Sequence, residues 1–247
     1  MKLFSVSLLT FISVLIFSCS TEKTAKSIID DTIEASGMNT LNNKYISFIF
    51  RGKKYDSFRN NGFFELKRTS IDSVETTDVL TNSNFTRLVD GVAQKLADTT
   101  VNKYKNSVNS VHYFAYLPYG LDGDAVNKEL LGEVEINNQN YYKIKVWFNQ
   151  DGGGEDFEDV FIYWVNTETD KIDFLAYEYH VNEGGMRFRE AYNRRTIEGI
   201  DFVDYKNYKP KSNDAKLVTL DSLFTNNQLE LLSTIELQNV TVNDANL

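Results

Sequence analysis

Apolar and polar positions alternate with period two through long parts of the chain, most regularly between residues 141 and 208. Tyr142, Ile144, Val146 and Phe148 alternate with Tyr141, Lys143, Lys145 and Trp147, which predicts a strand with one face turned inward. Residues 160–165 (Val-Phe-Ile-Tyr-Trp-Val) are apolar without alternation and predict a strand covered on both faces. The turn-forming run Asn166-Thr167-Glu168-Thr169-Asp170 precedes a strand at 172–181, Glu183-Gly184-Gly185 one at 186–197, and Gly199 one at 200–208. Connections this short join antiparallel neighbours, because a parallel pair needs a crossover of about a dozen residues.

Two stretches carry helical spacing instead. Ala25, Ile28, Ile29, Thr32, Ile33 and Ser36 fall on one side, Asp30, Asp31 and Glu34 on the other, and Gly37 supplies a stop, which predicts an amphipathic helix of about three turns. In the second, Asp98, Thr99 or Thr100 provides a cap, Val101, Tyr104, Val108, Val111 and Ala115 form a seam, and Pro118 ends the element. Between the two helices, strands are expected at 45–50, 53–58, 62–70, 73–80, 85–89 and 92–97, with Asp90-Gly91 as a tight hairpin turn. Past residue 208 come a polar connector at 209–216, a short turn or helix at 220–224 and a last strand at 229–242.

The first eighteen residues read as an address. Lys2 is followed by an apolar run that ends Ile16-Phe17-Ser18-Cys19, and a small residue before a cysteine in this place resembles the lipobox of bacterial lipoprotein leaders. The resemblance implies cleavage before Cys19, acyl chains on Cys19, a lipidated tether at 19–23 and anchorage in a Gram-negative cell envelope, as an outer membrane lipoprotein facing the periplasm. An ordinary secretory leader with an incidental cysteine is the alternative. Cys19 is the single cysteine, so the fold has no internal disulfide and rests on its core.

The 247-residue chain carries 26 basic against 35 acidic side chains, a net charge of −9 that argues against nucleic acid as a partner. Two prolines, Pro118 and Pro210, and no Gly/Ser-rich linker favour one domain over residues 24–247. The chemistry is sparse. Asp151-Gly152-Gly153-Gly154-Glu155-Asp156-Phe157-Glu158-Asp159 is rich in oxygen ligands but lacks the spacing of a calcium loop, and reads as a solvated hairpin loop. His112 and His180 have no partner motif for catalysis, no nucleophile elbow or phosphate loop is present, and no catalytic residue, metal or cofactor is expected. Arg187, Arg189 and Arg195 share strand parity, with Arg194 beside them; they could hold an anionic headgroup, or be charges on a solvent face with Glu190 and Glu198 as partners.

The order of leader, amphipathic helix, meandering strands, aromatic helix ending Leu117-Pro118-Tyr119-Gly120-Leu121, and further strands resembles the LolA/LolB/LppX superfamily of envelope lipid carriers. Residues 25–41 with the Tyr45-Ile46-Ser47-Phe48 strand, and the hairpin at 161–175, carry the likeness. It implies an α+β, mostly antiparallel β fold, a curved half-barrel sheet with helices covering its concave face, that binds a lipid or other apolar ligand without catalysis. Phe48, Phe50, Phe64, Tyr104, Phe114, Val146, Phe148, Trp164 and Phe174 are the candidates for lining such a cavity or filling the core. Two alternatives stay open: an envelope protein-interaction module with a solid core and functional loops, and a hydrolase with an unrecognised site.

Overall fold

The computed structural model describes residues 23–152, 158–179 and 184–245. Helix α1 (Ala25–Ala35) starts with a reciprocal cap, in which Thr24 Oγ1 accepts from the Ser27 N–H at 3.1 Å while the Thr24 N–H donates to Ser27 Oγ at 3.0 Å. It ends where Gly37 takes a positive φ of 68°. A β-carbon there would lie 1.9 Å from the Gly199 carbonyl oxygen, so glycine lets the helix end press onto the turn before residue 200. The Asp201 N–H then donates to the Ser36 carbonyl at 3.0 Å.

Six strands follow: β1 (Lys44–Phe50), β2 (Lys53–Asn60), β3 (Phe63–Ile71), β4 (Glu75–Thr81), β5 (Phe85–Val89) and β6 (Val92–Ala93). Helix α2 (Asp98–Ala115) leads to β7 (Val126–Ile136), β8 (Gln139–Phe148), β9 (Val160–Asn166), β10 (Ile172–Tyr179), β11 (Gly185–Ile197) and β12 (Ile200–Pro210), and α3 (Leu220–Thr225) to β13 (Leu229–Ile235) and β14 (Gln238–Asp244). Every pairing is antiparallel, in two open seven-stranded sheets ordered β14-β1-β2-β3-β4-β5-β6 and β13-β12-β11-β10-β9-β8-β7. The α+β, mostly antiparallel architecture is the one expected.

Four local expectations are corrected. The single strand at 229–242 is two strands that break at Glu236-Leu237, β13 pairing in one sheet and β14 in the other, so the two sheets are tied along one side. The Leu237 N–H is held by Asp204 Oδ1 at 2.9 Å, which supplies a break that no glycine or proline announces. Strand β7 was not anticipated, because Glu129, Glu133 and Glu135 make it an exposed edge with little apolar signal. The strand expected at 92–97 shrinks to two residues, and α2 begins after Ala97 without a side-chain cap. Finally, β8 is covered on both faces: Ile144 and Val146 face the main core, while Tyr141 and Lys143 are buried on the other side.

The main core lies between the inner faces of the sheets, where Phe48, Tyr55, Ile144, Val146, Tyr163 and Phe202 meet Ile28 and Ile29 of α1 and Val111 and Ala115 of α2. A second core sits on the opposite face of the second sheet, where Ile162, Trp164, Phe174 and Phe188 pack under Leu220 and Phe224 of α3. The unbroken apolar run of β9 is thereby explained, since alternate residues serve different cores. Lys143 is tolerated in the second core because its ammonium donates to Asp221 Oδ2 at 2.7 Å and to the Val218 carbonyl, and Trp164 Nε1 donates to the same carboxylate at 3.1 Å.

Candidate functional site

Helix α2 connects the far edges of the two sheets and is fastened to both. On the first sheet, Asp78 accepts from Arg68 (Nε, 3.2 Å; Nη2, 2.5 Å) and from Arg87 (Nε, 2.7 Å; Nη2, 2.9 Å). Arg68 also donates to Ser107 of the helix, and the Arg87 guanidinium lies 3.3 Å from the centre of the Tyr104 ring. Beyond the helix end, the Tyr116 and Ser57 hydroxyls are 2.7 Å apart. On the second sheet, the Tyr113 and Tyr163 hydroxyls are likewise 2.7 Å apart. Burial pushes the Tyr116 phenol up to about 12 and raises Tyr113 and Tyr163 as well, so all three stay protonated.

Beside the C-terminal half of α2 the core is not filled. A cavity of about 1120 Å³, partly open to solvent, is bordered by His112, Phe114 and Leu117, by the loop around Tyr119–Val126, by Phe64 and Leu66 of β3, and by Phe148, Phe161, Leu175, Tyr177 and Arg189 of the second sheet. Rings pave one wall: Phe161 meets Phe148 at 5.9 Å, Tyr177 at 5.7 Å and Tyr113 at 5.6 Å. Four buried side-chain polar atoms lack a hydrogen-bond partner among the described residues, and two of them, His112 Nδ1 and Arg189 Nε, belong to residues that border this cavity. His112 Nε2 lies 3.1 Å from the Lys67 carbonyl oxygen, to which it donates. Burial, only partly opposed by that hydrogen bond, pushes the imidazole down to about 3, so it is neutral at physiological pH.

Of the cavity candidates read from the sequence, Phe64, Phe114 and Phe148 border the space. Phe48, Phe50 and Val146 are buried in the main core, and Tyr104 lies against Arg87. Trp164 and Phe174 occupy the second core under α3. The three arginines do not act together. A register shift between Tyr192 and Arg195 interrupts the alternation of β11. Arg195 pairs with Asp204 at 3.1 Å, Arg187 lies over the Tyr179 ring, and Arg189 alone of the three borders the cavity. Leu175, Tyr177 and Phe161 were not singled out in the sequence, because β9 and β10 are apolar on both faces and parity does not say which face is inward. The acidic loop is described only at its ends, since 153–157 lie outside the described residues, as do Cys19 and His180. Among the described residues no group of three His, Cys, Asp or Glu side chains is placed to hold a metal ion, and no helix is long and apolar enough to cross a membrane.

In structure the chain is similar to a LolA superfamily protein from Nitrosomonas europaea, with 12% identity, 90% of this chain and 94% of that one covered, and a TM-score of 0.49. It is also similar to a DUF1329 family protein from Desulfovibrio piger (10% identity, 87% and 92% covered, TM-score 0.44) and to lipoprotein LppX of Mycobacterium tuberculosis (10% identity, 66% and 90% covered, TM-score 0.28). No curated protein sequence matches it. The model of a family of unknown function, DUF6503, matches residues 5–238, and the chain belongs to that family.

Proposed function

We propose that this protein is a non-catalytic carrier or receptor of a lipid or other apolar ligand, held in the cavity beside α2, and that it works in the cell envelope as one domain anchored through acyl chains on Cys19. The observation that carries this reading is the cavity itself: about 1120 Å³ bordered by phenylalanine, leucine and tyrosine, beside a main core rich in aromatic rings. Ligand pockets are built in this way, as a mostly apolar enclosure with a few placed polar groups. The lipobox-like Ser18-Cys19 supports the envelope location, and a membrane and an envelope protein that exchanges the ligand are the expected partners.

The test is a titration of the purified, delipidated protein with the uncharged fluorescent reporter N-phenyl-1-naphthylamine. Saturable binding at one site is expected, and Ala125→Trp, which places an indole at the cavity border, weakens it at least tenfold while Val92→Trp on the exposed β6 edge does not. Absence of saturable binding by folded protein returns the reading to an interaction module. Loss of radiolabelled palmitate from a Cys19→Ala variant expressed in cells tests the anchor separately.

A further inference from the structure

Taking the cavity as an apolar ligand site, we infer that its ligand is an acidic amphiphile whose anionic group, a carboxylate or a phosphate, seats against Arg189. Arginine stays charged in proteins, and a buried charge is unfavourable without a counterion. The protein meets that need at four other half-buried arginines: Arg68 and Arg87 share Asp78, Arg194 pairs with Asp173, and Arg195 with Asp204, while Arg59 and Arg187, also half-buried, have no ion pair among the described residues. Arg189 forms no ion pair among the described residues. Its Nη2 donates to the Tyr177 hydroxyl at 3.0 Å, and its Nε is buried without a partner. The guanidinium is steadied between two rings, 5.0 Å from the centre of Phe114 and 5.1 Å from that of Tyr177, a contact that positions the charge without neutralising it. Asp122 and Asp124 also border the cavity, and neither forms an ion pair with Arg189. A planar fork fixed at the wall of an apolar enclosure suits a carboxylate or phosphate that accepts two N–H bonds while its chain lies along the rings. Arg59 is the rival position: it borders the cavity too, over Tyr116 at 4.7 Å and half-exposed Tyr119 at 4.9 Å.

The experiment displaces N-phenyl-1-naphthylamine from the purified protein with three ligands of one chain length: hexadecanol, palmitate and palmitoyl lysophosphatidate. At least one anionic ligand should compete roughly tenfold better than the alcohol, the scale of one charge-assisted hydrogen-bonded contact. Whichever anion shows the larger advantage identifies the head as carboxylate or phosphate. Arg189→Met should abolish the advantage, read as the ratio of anion to alcohol competition within the same variant, and Arg189→Lys, which keeps the charge but not the fork, should retain part of it. Equal competition by all three ligands, or an advantage that survives in Arg189→Met and disappears in Arg59→Met, overturns the inference while leaving the cavity reading intact. Failure of the wild-type protein to bind the reporter at all is the failure of the cavity reading itself. If Arg189→Met does not fold, the lysine variant decides: an undiminished anion advantage there contradicts the fork.

Discussion

Asp78→Asn should loosen helix α2 from the first sheet and lower the stability of the whole protein. The Asp78 side chain is 2% exposed and accepts four hydrogen bonds from two guanidinium groups, whose own side chains are 13% and 16% exposed. An asparagine of the same shape leaves both arginines without a counterion and turns an amide N–H₂ toward one of them. Removing one partner from a buried ion pair costs about 3–5 kcal/mol, and the lower end, about 3 kcal/mol, is expected here because water reaches the edges of both arginines. The same arginines hold Ser107 and Tyr104, so the damage passes to α2. Urea denaturation measures the loss, and hydrogen exchange should show faster exchange across Asp98–Ala115 than in β8 or β9. The pH dependence provides a second reading. Burial alone would raise the Asp78 carboxyl, but the hydrogen bonds from Arg87 and Arg68 outweigh it and hold the group below its usual value. A lowered native value means that the unfolded chain takes up the proton first, so this stabilisation is complete above an unfolded value of about 4 and fades as pH falls through the native one. The gap between wild type and Asp78→Asn should therefore close in acid. A loss below about 1 kcal/mol at pH 7, or a gap that is constant down to pH 2, refutes the assignment of this cluster as the latch of α2.

Two further perturbations test other parts of the structure. Gly37→Ala combines a left-handed backbone with a β-carbon 1.9 Å from the Gly199 carbonyl oxygen and should cost about 3 kcal/mol or more, whereas Gly52→Ala, at a similar φ with open space around it, should cost about 1 kcal/mol; equal losses in denaturation would rule out the close approach of α1 to the β11–β12 turn. The His112 imidazole, pushed down to about 3, should show no NMR titration between pH 8 and 5, and because the unfolded chain protonates near 6.5 its contribution to stability should decline as pH falls from there; a titration midpoint near 6.5 in folded protein would contradict its burial.

The parts of the fold that the sequence made legible are those where one face is apolar and the other is not. Helix α1 declared itself through Ile28, Ile29 and Ile33 opposite Asp30 and Glu34, and β1 through Ile46, Phe48 and Phe50. Where a sheet is covered on both sides the signal saturates. Trp164 and Phe161 are equally apolar and close in the chain, yet one packs under α3 and the other borders the cavity, a distinction made by α3, which lies over fifty residues further on. Arg187, Arg189 and Arg195 share parity in the sequence, yet a register shift between Tyr192 and Arg195, visible only in the pairing of β11 with β12, separates them. Strand β7 escaped because an edge strand with alternating glutamates need bury little. The cavity was least legible, since it is a volume left unfilled between elements and no residue pattern encodes a gap.

The measurement that bears most directly on the central claim is lipid mass spectrometry of an organic extract from protein purified natively from cells, with the protein and its extract quantified together. The account predicts an acyl compound with an acidic head at close to one molecule per chain, and its depletion in Ala125→Trp. An empty extract from well-folded protein, with no uptake when acidic lipids are offered back, would contradict it.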